Sequence, residues 1–297
     1  MSLSVILRSS RIPFLILTPI CIFLGAAAVI AQGLPISGQT LTLAMVGGLL
    51  AHISVNTLNE YLDFASGLDL NTRRTPFSGG SGALPEHPEQ SRAVLWVGVI
   101  SLLLVIAIGL YFLWRHGLAL LPLGVAGLLL IVLYTRWINR LPWLCLIAPG
   151  LGFGVLMVVG TQFVLTGDYR ITSLLVGLIP FLLVNNLLLL NQYPDVQADK
   201  SIGRNHFPIA YGVAASNVAY GIMWLLAGLL IVLYAVSGLL SLWSLLALAP
   251  WLLGAVAWRG ARTCGFDIGQ QPQLLALNVM ATLLTPLTLV LVLALAS

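Results

Sequence analysis

The sequence is short of charge. Only 7% of its 297 residues are Asp, Glu, Lys or Arg, while 59% are hydrophobic; a water-soluble domain carries roughly 25% charged residues. Thirteen basic and nine acidic side chains serve the whole molecule. That scarcity excludes a soluble enzyme, a disordered regulator and a nucleic-acid-binding domain, and leaves membrane lipid as the surroundings. Cysteine is almost missing as well. Cys21, Cys145 and Cys264 lie in or near apolar runs without metal spacing, and read as packing residues. No polar stretch is large enough for a regulatory extramembrane domain, so residues 1–297 read as one transmembrane domain. What is present is apolar length, with a mean hydropathy of +1.03.

A helix crossing the hydrocarbon layer needs about 20 mostly apolar residues. Such runs lie near 12–32, 40–58, 93–113, 118–135, 143–165, 173–192, 214–235, 239–258 and 273–296. The expected fold is therefore all-α, with nine transmembrane helices enclosing one central cavity. The first run follows Arg8 and Arg11 and contains Pro13 and Pro19, but no small-residue cleavage site with a polar segment follows, so it counts as a span. With the N-terminus in the cytoplasm, eleven basic residues fall on the inner face: Arg8, Arg11, Arg73, Arg74, Arg92, Arg136, Arg140, Lys200, Arg204, Arg259 and Arg262. Only Arg115 and Arg170 fall outside. This asymmetry obeys the positive-inside rule, and a shift by one span destroys it. The pI of 9.2 thus reflects orientation in a membrane rather than a polyanion-binding patch.

Carboxylates contribute little to topology, yet eight of the nine share that inner face, with Asp168 alone opposite. Two long loops, near 59–92 and 193–212, hold most of them, and long loops in compact folds are commonly functional. In the first, Asn56, Asn59, Glu60 and Asp63 follow helical spacing, and Asp69 comes after a Ser66-Gly67 break. In the second, Asn191, Asp195 and Asp199 are spaced by four, with Pro194 interrupting the helix beside them and Gly203 ending it. Stacked like charges destabilise a helix, and a central Asp costs about 2.5 to 3.5 kcal/mol on membrane-insertion scales. Either these residues are solvated caps of helix ends, or they share a compensating partner. The repetition of acid and amide on one face favours a partner. Carboxylate and amide oxygens are hard ligands that suit Mg²⁺, whose shell is completed by water and phosphate oxygens. The pattern points to a divalent-metal site for a diphosphate, held between two helix ends.

The same residues carry a family resemblance. Asn56-x-x-Asn59-Glu60-Tyr61-x-Asp63 with Gly67-x-Asp69 resembles the first aspartate-rich motif of the UbiA superfamily of intramembrane prenyltransferases. Asn191-Gln192-Tyr193-Pro194-Asp195-x-x-x-Asp199-x-x-x-Gly203-Arg204 resembles the second. The run Leu151-Gly152-Phe153-Gly154-Val155-Leu156-Met157, with Gly160 and Thr161, is similar to the fifth span of the branch that prenylates 1,4-dihydroxy-2-naphthoate for menaquinone. Two departures stand out: Glu60 occupies a place where the family usually has Asp, and Gly203-Arg204-Asn205-His206 stands where relatives often show Gly-Lys-Arg-Thr.

The resemblance implies Mg²⁺-dependent transfer of a polyprenyl group from its diphosphate to an aromatic acceptor. The cell membrane would be bacterial or archaeal, with the active site on its cytoplasmic face. Glu60, Asp63, Asp69, Asp195 and Asp199 are then the expected metal ligands, with Asp63, Asp195 and Asp199 central to catalysis. Asn56, Asn59, Asn191, Lys200 and Arg204 are expected around the diphosphate. Arg73 and Arg74 join them, because they precede Pro76 and a Gly79-Gly80-Ser81-Gly82 stretch whose backbone N–H groups can approach an anion. Tyr134, Arg136 and Arg140 form a short loop that, by the same resemblance, supplies a basic residue to the diphosphate. Asn185 and Asn186 read as interhelical amides, His206 as a solvated loop residue, and Arg259 and Arg262 as membrane anchors. Other phenolic or non-aromatic acceptors stay open, as do a transporter and a non-catalytic lipid-diphosphate binder.

Overall fold

A computed structural model describes residues 2–72 and 74–295, and every regular element among them is helical. Nine apolar segments follow in order: α1 (Ile12–Ile30), α2 (Gly38–Ala65), α3 (Pro88–His116), α4 (Leu118–Leu133), α5 (Pro142–Thr166), α6 (Ile171–Asn191), α7 (Phe207–Val236), α8 (Leu242–Gln270) and α9 (Pro272–Leu295). Eight of these are long and apolar enough to cross a membrane; α4 is the shorter one. Its single 3-10 turn, Leu118–Leu120, leads into only 13 α-helical residues. Together they rise about 25 Å, against a hydrocarbon layer about 30 Å thick. The expected count of nine spans is therefore met by length in eight segments.

Successive segments reverse direction, so the basic residues separate as their spacing predicts. At one end of the bundle Arg115 donates to Thr40 (3.2 Å) and Arg170 to Gln32 (3.3 Å), tying neighbouring turns together. Away from these turns, Arg11 and Arg204 pair with carboxylates of the acidic motifs, and Arg8 and Arg74 with Glu86. Of the long helices, α6 and α1 are the most buried, and α2 and α3 the least. The bundle is thus built around α1 and α6, which pack against each other and against α5 and α9.

Lipid chains are as apolar as leucine, so helices associate through close packing and interhelical hydrogen bonds rather than hydrophobic burial. Glycine provides the closest approach. A Cβ on Gly154 of α5 would stand 2.2 Å from the Phe181 nitrogen of α6, and one on Gly177 of α6 would stand 2.3 Å from the Gly154 oxygen. Between α7 and α8, Trp224 and Trp251 stack at 4.3 Å, nearly parallel, and each indole N–H donates to the other residue's carbonyl (3.0 and 2.8 Å).

Polar side chains close the remaining gaps. Asn186 donates to the Tyr220 carbonyl (3.1 Å), Tyr220 to Asn278 (2.7 Å), and Asn278 back to the Asn186 carbonyl (3.2 Å), joining α6, α7 and α9. Asn185 accepts the Gly150 N–H at 2.6 Å. That contact comes where Pro149 and a π-helical turn, Leu151–Met157, interrupt the regular ladder of α5. Both amides are therefore structural, and the three cysteines are free thiols, two of them fully buried.

Candidate active site

The first motif occupies the last turns of α2. At about 100° per residue, Asn59 and Asp63 lie to one side of Asn56, and Glu60 to the other. The cavity takes the first side: Asn56, Asn59 and Asp63 line it and Glu60 does not. Gly67, with φ of 78°, turns the chain into the short helix Leu68–Asn71, which returns Asp69 to the cavity wall. The second motif is broken beside Pro194, as its sequence leads one to expect, although the break begins three residues earlier. Helix α6 stops at Asn191, the chain turns through residues 192–195, and a new short helix, Val196–Ser201, carries Asp199. Asn191, Asp195 and Asp199 nonetheless line the same cavity. The Asn205 N–H donates to the Asn139 carbonyl (3.0 Å), docking this segment on the turn between α4 and α5.

The glycine stretch does meet anions, and they are the protein's own carboxylates. Gly79, Gly80 and Gly82 all have positive φ. The Gly79 N–H donates to Asp195 at 3.0 Å, while the Ser81 N–H (3.1 and 3.2 Å) and hydroxyl donate to Glu60. A Cβ on Gly80 would fall 2.7 Å from an Asp69 oxygen, so glycine is required there. This one loop fastens both motifs.

Arg204 fastens them a second time. Its guanidinium bridges Asp63 of the first motif and Asp199 of the second, the latter at 2.7 Å. Asn59 donates to the other Asp63 oxygen (2.8 Å), and His206 contacts the other Asp199 oxygen (2.9 Å). His206 is 1% exposed, which corrects its expected place in solvent. Burial works against the charge of Asp199, but the His206 contact and Arg204 outweigh it and hold the carboxyl below its usual value. Burial likewise opposes the Arg204 charge, and Asp63 and Asp199 more than restore it.

Asp69 and Asp195 are different. Each has one buried oxygen without a hydrogen-bond partner, Oδ2 and Oδ1 respectively, and Asn191 Oδ1 is a third such acceptor. Burial, followed by neighbouring Glu60 and Asp63, pushes Asp69 up to about 7. Burial, followed by Asp199, does the same to Asp195. Unpartnered hard oxygen acceptors at the mouth of a cavity are the donor set a small divalent cation takes. Among the described residues no three His, Cys, Asp or Glu side chains converge on a single ion position, so the fit rests on these oxygens together with oxygens a ligand brings.

Other expected contacts are absent from the cavity. Glu60 is fully buried behind Ser81, with Arg11 at 3.6 Å. Arg136, Arg140 and Lys200 are exposed and outside the lining, and exposed Arg74 pairs with Glu86 at 3.2 Å. Arg73 lies outside the described residues. Tyr134 does line the cavity. Sequence reasoning passed over Arg11, assigned only to topology: it lines the mouth, and with φ of 53° it is the one described non-glycine residue in the left-handed region. No local signal marks it, because the conformation follows from packing.

The cavity, of about 560 Å³, runs from this polar mouth between α2, α4, α5 and α6 into apolar walls that include Leu128, Phe153, Leu156 and Leu187. Comparisons with known proteins agree with this architecture. A UbiA homologue from Aeropyrum pernix K1 superposes with a TM-score of 0.69 at 17% identity, covering 91% of this chain and 96% of that one. A UbiA homologue from Archaeoglobus fulgidus, bound to DMAPP and Mg²⁺, superposes with a TM-score of 0.65 at 13% identity over 98% and 99% of the two chains. A 1,4-dihydroxy-2-naphthoate octaprenyltransferase from Bacillus subtilis (strain 168) is 27% identical over 207 residues, which is 68% of this chain and 65% of that protein's length. The family model described as the UbiA prenyltransferase family matches residues 18–264, and the chain belongs to that family.

Proposed function

We propose that this chain is a single-domain membrane enzyme that transfers a polyprenyl group from its diphosphate to an aromatic acceptor, 1,4-dihydroxy-2-naphthoate, in menaquinone biosynthesis. The observation that carries this reading is the convergence of two acid-and-amide segments, one ending α2 and one following α6, on the mouth of a cavity with apolar walls. A lipid diphosphate has the same division between a charged head and an apolar tail. The naphthoate acceptor takes its support from the Bacillus subtilis relative, and Mg²⁺ from the unpartnered oxygens of Asp69, Asp195 and Asn191.

Those three residues lead the proposed metal-holding set, and Asp63 and Asp199, whose oxygens are engaged by Arg204, Asn59 and His206, line the same cavity beside them. Bound Mg²⁺ supplies positive charge against the departing diphosphate. Arg204, Asn56, Asn59 and Tyr134 line the same cavity, and N–H and O–H groups that they offer to the head group would lower the barrier to C–O cleavage. Phe153, Leu156 and Leu187 keep water from the allylic cation that cleavage leaves, so that the electron-rich ring is its available nucleophile. The reaction face is proposed to be cytoplasmic, where the basic residues concentrate.

The test is product analysis with purified protein, Mg²⁺, a long-chain polyprenyl diphosphate and a panel of aromatic acids. A prenylated, decarboxylated naphthoquinol is expected, and Asp195→Asn should abolish it while the protein still inserts and folds. Turnover only with another acceptor overturns the branch; no diphosphate release with any acceptor overturns the enzyme reading.

A further inference from the structure

Deeper in the cavity, one polar side chain stands among apolar ones. His52 lies on α2 one turn from Asn56, about 6 Å farther from the polar mouth, and it lines the cavity while remaining only 6% exposed. Its Nδ1 is 2.9 Å from the Thr18 hydroxyl of α1. Gly48, one turn earlier on α2, permits this approach, because a Cβ there would stand 3.1 Å from the Thr18 methyl and 2.6 Å from Ile22. Among the described residues the buried Thr18 hydroxyl has no other acceptor, and donation to the Nδ1 lone pair is the arrangement that satisfies its hydrogen. A neutral imidazole bonded in this way carries its own hydrogen on Nε2.

Among the described residues Nε2 has no hydrogen-bond partner, and the atom is not sealed from solvent. It therefore opens on the cavity. The ring is also fixed from the side: Phe153 meets it edge-on, with centroids 4.8 Å apart. Phe153 belongs to the π-helical turn of α5, an irregularity often found at functional sites. The result is a corner with a directed N–H donor on one wall and an aromatic ring on the other.

An isoprenoid tail offers only C–H groups and makes no use of such a donor. A planar aromatic ring bearing an anionic or phenolic oxygen uses both walls at once. We propose that His52 Nε2–H binds an oxygen of the aromatic acceptor beside Phe153, and that Thr18 positions it by fixing its tautomer. This inference rests on the proposed prenyl transfer and deepens it, since it separates acceptor recognition from the carboxylates that serve the diphosphate.

Steady-state kinetics with the full-length enzyme test it, using Mg²⁺, polyprenyl diphosphate and a hydroxylated aromatic acid. His52→Leu is expected to raise the acceptor KM about tenfold or more, the loss of one hydrogen bond to a charged group, with the KM for polyprenyl diphosphate unchanged. His52→Gln, which retains an N–H donor, should recover most of the loss. An unmoved acceptor KM, or a rise confined to the diphosphate substrate, overturns the role of His52. No turnover by the unsubstituted protein instead overturns the functional reading beneath it. Should His52→Leu fail to fold, Thr18→Val replaces it: the acceptor KM must rise there too, and an unchanged value overturns the proposal.

Discussion

An acidic side chain within an ion pair and one with an unpartnered acceptor oxygen respond oppositely to pH. Asp69 and Asp195, each raised to about 7, favour their neutral forms in the folded protein. The stability they lend is fully present below the ordinary carboxylate range and is lost as pH rises through about 7. A cation binds the ionised forms and reverses that loss. Added Mg²⁺ should therefore raise the melting temperature more at pH 8 than at pH 6, as thermal unfolding in detergent would measure; equal shifts at both pH values would contradict the assignment. Arg204 behaves differently, because it already compensates two buried carboxylates. Removing one partner of such a cluster costs about 3–5 kcal/mol, so Arg204→Ala should lower the melting temperature sharply even without metal. Arg204→Lys keeps the charge but not the fork that spans Asp63 and Asp199, and should fall between the two. Chemical identity at this scale was legible in the sequence, but direction was not. Glu60 and Asp63 differ by three positions on one helix; helix phase puts them on different sides, but which side faces the cavity follows from tertiary packing, where Ser81 and Arg11 hold Glu60 away from it. Likewise His206 is buried because Asn205 pairs with Asn139, a contact between distant segments with no local signature.

At the scale of the element, helix positions followed from apolar run length, because a bilayer demands a minimum span and a soluble core does not. The Ser66-Gly67 break was equally visible, since Gly67 takes a positive φ that other residues avoid. The break after Asn191 fell earlier than the even spacing of Asn191, Asp195 and Asp199 implied: Pro194, which lacks an N–H, follows the helix end. Helix proximity is less readable, because a glycine in a membrane helix can mean contact or nothing. Gly154 and Gly109 illustrate the two cases: a Cβ on the first meets α6 backbone at 2.2 Å, and one on the second meets nothing within 4 Å. Gly154→Ala should thus destabilise the bundle by about 1–3 kcal/mol through overpacking, whereas Gly109→Ala should leave the melting temperature unchanged or slightly higher.

For the molecule as a whole, charge distribution carried the most information. In a chain with so few ionisable groups, the gathering of both signs at one end located the mouth of the cavity before any residue could be assigned a role. Sequence length did not reveal that the wall is uneven. Segment α4 contributes Leu123, Gly124, Gly127 and Leu128 to the cavity lining, yet its rise of about 25 Å falls short of the lipid around it. Bilayers meet a short segment by thinning around it, or its flanking residues reach out to the interface, at a modest cost for each ångström of mismatch. Membrane thickness is therefore expected to act on this bundle as a mechanical load, applied to one wall of the cavity. In vesicles of graded acyl-chain length, turnover should fall as the bilayer thickens while detergent-solubilised activity gives the unloaded reference.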